Sequence, residues 1–88
     1  MRVEYSKQFL KELAHIPSKT RVSIEKFIFD ELPDLNNISE SRKIESLKGY
    51  KDFFKIRFGN YRVGLLKENE IIVVRRVLHR KEIYRYFP

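Results

Sequence analysis

The 88-residue chain has no cysteine, no tryptophan, one methionine, three glycines and three prolines. The absence of cysteine excludes a disulfide framework, a zinc–thiolate site and a cysteine nucleophile, and it suits a reducing compartment. Long apolar runs are also missing, since the longest, Ile71–Val74, is far too short to cross a bilayer. Residues 1–15 include acidic side chains and no small-residue cleavage motif. We therefore expect no signal peptide, no membrane partner and a cytoplasmic protein.

The chain also lacks the short motifs of several large enzyme classes. It has no Walker phosphate loop, no Rossmann glycine pattern and no HExxH zinc motif. The two histidines, His15 and His79, do not make a metal site, and no nucleophile elbow surrounds Ser39. We therefore expect a protein that uses neither a metal nor a cofactor.

Positive charge is what the chain has in excess. Nineteen Lys and Arg residues against twelve Asp and Glu residues give a net charge of +7. Residues 1–42 have seven of each sign, whereas residues 43–88 have twelve basic and five acidic residues, so the whole excess lies in the second half. This asymmetry indicates an anionic partner, with nucleic acid as the leading candidate, and a merely solvated basic surface is the alternative.

Hydrophobic periodicity predicts a helical first half. Residues 2–5 alternate like a short strand, and helical spacing then predicts one helix after Ser6 and a second after Pro17. The two helices form a helical hairpin. Residues 34–46 are polar and weakly patterned, which predicts a connecting loop, with a helical turn near Ser41–Ser46 as the alternative at its end.

From residue 50 the period changes to two, which is typical of strands. Turn residues divide this part into three strands that end near residues 58, 66 and 78, followed by a short terminal helix or tail over 83–87. We expect a single α+β domain over residues 1–88. It consists of an N-terminal strand, a helical hairpin and a three-stranded antiparallel meander with a short C-terminal helix or tail.

Four cations in the meander are predicted to lie close together. Alternation places Lys55 and Arg57 on one sheet face, roughly 6.6 Å apart along the strand. The Gly59–Asn60 turn brings Arg62 beside Arg57, and Arg80 approaches the same face from the end of the last strand. We expect this face to be open. Neighbouring like charges destabilise a sheet, so the cluster indicates a function, and phosphate is its natural ligand.

Aromatic side chains lie among these cations, namely Tyr50, Phe53, Tyr61, Tyr84 and Tyr86. Unpaired bases stack on such rings, and single-stranded RNA is recognised largely in this way. Packing in the core or at its rim is the alternative interpretation.

Three stretches resemble the RelE/ParE superfamily of bacterial and archaeal toxins. They are Leu47–Arg57, Gly59–Val63 and His79–Tyr84, in this order and at this total length. The resemblance covers nearly the whole chain, because the opening strand, the helical hairpin and the basic meander also match the superfamily.

In the RelE branch, the resemblance implies a toxin of a type II toxin–antitoxin system that cuts mRNA in the ribosomal A site. Such enzymes use no metal: the ribose 2′-hydroxyl attacks the neighbouring phosphate and leaves a 2′,3′-cyclic phosphate. The implied partners are the ribosome with its mRNA and a cognate antitoxin protein.

The resemblance also implies a set of catalytic residues, namely Lys55, Arg57, Arg62, Arg80 and Tyr84. Arg57 and Arg62 would stabilise charge on the phosphate oxygens, and Arg80 would act as an electrostatic stabiliser. Lys55 is the candidate base, since neighbouring cations lower the pKa of a lysine. The functional tyrosine is Tyr84 by its local pattern or Tyr86 by its longer spacing after Arg80, and Tyr84 is preferred. Candidates for substrate contact are Lys48, Lys51, His79 and Tyr86.

Other functions remain open from the sequence. ParE-like members of the superfamily share the fold, poison DNA gyrase and need no RNase site. A non-catalytic module that binds nucleic acid, or an inactive relative kept for antitoxin binding, requires only basic charge and aromatic rings. The set Lys55, Arg57, Arg62 and Arg80 favours the RNase.

Overall fold

The computed structural model describes residues 1–88, which form a mixed α+β fold with a five-stranded sheet and three helices. In chain order the elements are β1 (Arg2–Tyr5), α1 (Lys7–Leu13), α2 (Ser18–Glu25), β2 (Ile44–Ser46), β3 (Phe53–Phe58), β4 (Tyr61–Glu68), β5 (Ile71–His79) and α3 (Ile83–Tyr86). No helix has the length and apolar content that crossing a membrane requires.

The helical hairpin predicted from the sequence is confirmed. The hydroxyl oxygen of Ser6 accepts a 3.0 Å hydrogen bond from the backbone N–H of Phe9, which caps α1 at its start. After a short turn, α2 begins at Ser18 and continues as a wider π-helical segment over Lys26–Glu31. The hairpin turns Phe9, Leu13 and Ile24, among others, into the core.

The sheet has the order β1-β5-β4-β3-β2. The predicted meander is β3, β4 and β5, whose neighbouring strands are antiparallel, and β1 pairs with β5 in parallel. The prediction that Arg57 and Arg62 are cross-strand neighbours is confirmed, because the register places them directly opposite each other.

The prediction of a loop over residues 34–46 is wrong at its C-terminal end. Residues Ile44–Ser46 form β2, which pairs antiparallel with β3. Ile44 lies opposite Ile56, and both side chains are buried in the main core. The sheet therefore extends beyond the predicted three-stranded meander by an edge strand on one side and by β1 on the other.

Apolar side chains pack on both faces of the sheet. The main cluster lies between the helical hairpin and one face, and it includes Ile56, Val63 and Val74 from the strands. A smaller cluster of Leu47, Ile83 and Phe87, with Phe53 and Leu78 packed against it, lies on the other face. The expectation that this second face is open is therefore wrong in part, because α3 and the residue after it cover some of it.

Gly64 makes room for this covering segment. A Cβ atom at Gly64 would lie 2.7 Å from the ring of Phe87, which is closer than atoms in contact approach. Because Gly64 has no side chain, the Phe87 ring packs directly on the backbone of β4. This contact holds α3 beside the basic strands.

Candidate active site

Lys55, Arg57 and Arg62 lie on the sheet face that α3 partly covers. Arg57 is directly opposite Arg62, and Lys55 is opposite Gly64 in the same register. Residues that pair across antiparallel strands point to the same face, and residues two apart on one strand do so too. The three cations therefore form one row, which runs from α3 towards the turn between β3 and β4.

A pocket of about 300 Å³ lies at the α3 end of this row. It is lined by Leu47, Lys48, Tyr50, Lys55, Tyr84, Phe87 and Pro88. Three of the residues predicted for the site, Lys48, Lys55 and Tyr84, thus share one pocket. The Nζ atom of Lys55 donates a 2.6 Å hydrogen bond to the hydroxyl oxygen of Tyr84, and it lies 5.1 Å from the centroid of that ring.

The position of Tyr84 follows from how α3 packs on the sheet. Ile83 and Phe87 are four residues apart, so they lie on one side of the helical turn, and both are buried. The N–H of Phe87 donates a 2.8 Å hydrogen bond to the carbonyl of Ile83, which closes the turn. Tyr84 is left 60% exposed at the edge of the pocket, where a flat ligand can reach its ring.

Tyr86, the alternative functional tyrosine, lies beside Arg76 instead. The guanidinium carbon of Arg76 is 5.7 Å from the Tyr86 ring centroid, and Nη1 of Arg76 donates a 3.3 Å hydrogen bond to the Tyr86 carbonyl. The structure therefore brings Tyr84, and not Tyr86, to Lys55.

The other end of the row is the β3–β4 turn. Nη1 of Arg62 donates hydrogen bonds of 2.7 Å to the carbonyl of Gly59 and 3.0 Å to that of Tyr61, so its guanidinium folds back over the turn. The backbone N–H of Arg80 donates a 2.7 Å hydrogen bond to the carbonyl of Asn60 in the same turn. The structure thus brings Arg80, whose side chain is exposed, to the turn that also holds Arg62.

Glu45 is a residue of this face that the sequence analysis missed. It lies on β2 directly opposite Lys55, and its Oε1 atom is 3.7 Å from Nε of Arg57. The sequence predicts a loop there because residues 34–46 are polar and weakly patterned, so no strand signal marks Glu45. The carboxylate adds a proton acceptor to a row of cations.

Two predicted residues lie away from this row. His79 is opposite Tyr61, its ring packs edge-to-face on that ring at 5.5 Å, and Tyr61 contacts the main core. His79 is therefore on the face of the sheet opposite to Lys55 and Arg62. Lys51 is exposed in the turn before β3 and does not line the pocket.

The arrangement as a whole suits an anionic, partly aromatic ligand. Adjacent guanidinium groups can bind phosphate oxygens, and an exposed tyrosine ring can stack on a base. No group of three His, Cys, Asp or Glu side chains is arranged to hold a metal ion. The proton-transferring groups on this face are a lysine, a carboxylate and a phenol.

Comparison with known proteins assigns the chain to a class. The profile of a family described as "ParE toxin of type II toxin-antitoxin system, parDE" matches residues 3–84. The chain therefore belongs to the RelE/ParE family of toxins of type II toxin–antitoxin systems, as the sequence resemblance indicates.

Within this family, relatives named RelE are similar over the full chain. Toxin RelE3 of Methanocaldococcus jannaschii is 43% identical over 89 residues, which is 100% of both chains. A chain of the RelB–RelE antitoxin–toxin complex from Methanococcus jannaschii matches with a TM-score of 0.80 and 41% identity, over 97% of this chain and 99% of that one. A chain of the RelE–RelB complex from Pyrococcus horikoshii matches with a TM-score of 0.64 and 25% identity, over 90% and 93%. The predicted fold class is confirmed.

Proposed function

We propose that the protein is a ribosome-dependent endoribonuclease that cuts mRNA in the decoding site. The observation that supports this proposal best is the juxtaposition on one face of the Arg57–Arg62 pair with the pocket where Lys55 holds Tyr84. Such a face matches the parts of a nucleotide, since it has cations for the phosphate and a ring for the base.

The reaction needs stabilisation of charge on the phosphate. Attack of the 2′-hydroxyl oxygen forms a bond to phosphorus and breaks the bond to the 5′-oxygen, and extra negative charge develops on the non-bridging oxygens. Arg57 and Arg62, which are opposite each other on this face, would stabilise that charge, and Arg80, whose backbone is bonded to the β3–β4 turn, would be the third cation. Cations that surround the developing charge supply a large share of catalysis in reactions of this kind.

The attacking 2′-hydroxyl must also lose a proton, and the departing 5′-oxygen takes one up from water. Lys55 is one base, but in the structure its ammonium group donates to Tyr84, so it would first have to give up a proton. Glu45 is a second base, since a carboxylate accepts protons directly and this one lies beside Arg57. The base is whichever of the two lies within hydrogen-bond distance of the hydroxyl in the complex with RNA.

Tyr84 and the neighbouring basic residues would bind the substrate. The hydrogen bond from Lys55 fixes the orientation of the Tyr84 ring, so a base can stack on it without first ordering the side chain. Lys48, in the same pocket, would contact the RNA backbone. We propose a further contact from Lys51, which is exposed in the turn before β3, whereas His79 on the opposite face and Tyr86 beside Arg76 are not part of the proposed site.

A RelB-like antitoxin is the proposed protein partner. The similar chains from Methanococcus jannaschii and Pyrococcus horikoshii were crystallised as complexes with RelB. The other partners are the ribosome and its mRNA, which place the activity of this single-domain toxin in the cytoplasm.

Expression in cells without antitoxin tests the proposal. We expect incorporation of labelled amino acids into protein to stop within minutes of induction, while DNA synthesis continues and no DNA-damage response appears. The Arg62→Ala variant, produced at the same level, should leave protein synthesis running. Continued protein synthesis in cells that make the unaltered protein would contradict the proposal.

Poisoning of DNA gyrase is the second candidate, because the matching family profile is named for ParE. A supercoiling assay with purified gyrase separates the two functions. Under our proposal the protein does not inhibit supercoiling at concentrations that arrest translation. Inhibition together with cleaved DNA would favour the second candidate.

A further inference from the structure

Arg76 lies next to a bulge in β5, at the point where β5 meets α1 and α3. The register changes between Gly64, which is opposite Arg76, and Leu65, which is opposite Val74, so Arg75 has no partner on β4. An extra residue of this kind twists a strand and redirects the side chains beside it. Beside the bulge, the Oε1 atom of Glu12 on α1 accepts a 3.0 Å hydrogen bond from the backbone N–H of Val77.

The same carboxylate fixes the Arg76 side chain. Nε of Arg76 donates to both oxygens of Glu12 at 3.2 and 3.0 Å, and Nη2 donates to Oε2 at 2.7 Å. The two side chains are only 22% and 12% exposed, so solvent screens the pair weakly. With two nitrogens held by Glu12, the third, Nη1, is directed at the carbonyl of Tyr86.

The C-terminal helix depends on such contacts. At four residues, α3 is too short to be stable alone. On the sheet it is held by the small cluster of Leu47, Ile83 and Phe87, which is separate from the main core. Arg76 adds a polar contact at the end of the helix, two residues beyond Tyr84, and ties it to α1 through Glu12.

We propose that Arg76, fixed by Glu12, is a positioning residue that keeps the C-terminal helix on the sheet and Tyr84 at Lys55. Arg76 pairs with Gly64, so it lies on the same face as Lys55 but two strands away from it, and it does not line the pocket. Its catalytic consequence rests on the proposed function, whereas its effect on the helix does not.

Amide hydrogen exchange tests the effect on the helix directly. The N–H of Phe87 is bonded to the Ile83 carbonyl and therefore reports whether α3 is formed. In Arg76→Ala we expect this proton to exchange at least tenfold faster, while amide protons of the β3–β4 ladder are unchanged. Arg75→Ala is the matched control, because it removes the same charge from the neighbouring, exposed residue. Arg75→Ala should change neither the exchange rate of the Phe87 N–H nor those of the β3–β4 ladder.

A conservative variant covers the case in which Arg76→Ala does not fold. Arg76→Lys keeps a cation beside Glu12 but has one donor nitrogen, so the Tyr86 carbonyl loses its partner. The same local acceleration at Phe87 is expected. An unchanged Phe87 rate in both variants, or an equal acceleration across the β3–β4 ladder, would overturn the proposal.

Cleavage of ribosome-bound mRNA tests the catalytic consequence. We expect Arg76→Ala to slow cleavage about tenfold in the unaltered background and to have no further effect when Tyr84 is replaced by Ala, because without the hydroxyl and the ring the helix has no catalytic side chain left to position. Losses that multiply in the double variant would show that Arg76 does not act through Tyr84. If the unaltered protein cuts no mRNA at all, the proposed function fails, and hydrogen exchange alone decides the role of Arg76.

Discussion

Nζ of Lys55 and the hydroxyl oxygen of Tyr84 are 2.6 Å apart, although the two residues are 29 positions apart in the chain. Lys55 lies on β3 and Tyr84 on α3, so this hydrogen bond exists only while the C-terminal helix covers the sheet. The contact joins the basic row to the aromatic ring, and it makes the position of α3 a condition of the proposed site.

Removing the Tyr84 hydroxyl should therefore impair cleavage. A hydrogen bond to a charged group contributes about 1.5–3 kcal/mol, which corresponds to roughly ten- to hundredfold in rate if it is needed in the transition state. We expect Tyr84→Phe to slow cleavage of ribosome-bound mRNA within that range. Tyr86→Phe is the matched control and should cut at the unaltered rate, because the Arg76 contacts use the ring and the carbonyl of Tyr86. Equal losses in both variants would contradict this assignment.

The identity of the base can be decided by replacing each candidate in turn. If Glu45 removes the proton from the 2′-hydroxyl, Glu45→Gln should lower the cleavage rate by about 100-fold or more. Glu68→Gln, at the end of β4, is the control and should behave like the unaltered protein. An unaltered cleavage rate in Glu45→Gln, together with loss of activity in Lys55→Met, would assign the base to Lys55.

Gly64 should not tolerate a side chain. Because a Cβ there would meet the Phe87 ring at 2.7 Å, Gly64→Ala forces the ring away from β4. Overpacking of this kind costs about 1–3 kcal/mol, which denaturant unfolding measures as a lower midpoint. Shortening the opposing side chain is the control: in Gly64→Ala/Phe87→Leu the loss should be smaller than the sum of the single losses. If the losses of stability in the two single variants add up in the double variant, the strain in Gly64→Ala does not come from contact with Phe87.

The protein should lose stability in alkaline solution partly through Tyr5. Burial, and then the negative charge of Asp30, raise the pKa of Tyr5 above its ordinary value. Below about pH 10 the Tyr5 phenol is neutral in both the folded and the unfolded protein. Above about pH 10 this phenol ionises more readily in the unfolded chain, which favours unfolding. The free energy of unfolding should therefore fall as pH rises past 10, and fall less in Tyr5→Phe. Tyr50→Phe, at an exposed position, should show the full loss. A Tyr5→Phe curve parallel to that of the unaltered protein would contradict this.

Much of the fold and part of the site follow from periodicity and turn chemistry. Ser6 before an apolar helical pattern predicts the start of α1, and the alternation around Ile56 predicts β3 and the face shared by Lys55 and Arg57. The Gly59–Asn60 turn sets the register, since only a two-residue turn brings Arg62 opposite Arg57. These features are local, so nearby residues determine them.

The remainder depends on contacts between distant parts of the chain. β2 has three residues and forms only by pairing with β3, so its own pattern does not predict it, and Glu45 was missed with it. The cover over the second face depends on Phe87 meeting Gly64, 23 residues apart. His79 comes after the bulge at Arg75. Because a bulge inserts one extra residue, it moves the side chains that follow to the other face of the sheet, which alternation alone does not predict.

Primer-extension mapping of a short mRNA on purified ribosomes tests the central claim most directly. The account predicts cuts confined to the A-site codon, no cutting of the same mRNA without ribosomes, and a rate on the order of 100-fold lower in Arg62→Ala. Arg75→Ala, which removes an exposed arginine outside the basic row, should cut at the unaltered rate. Equal cutting of free and ribosome-bound mRNA, or full activity in Arg62→Ala, would contradict the account.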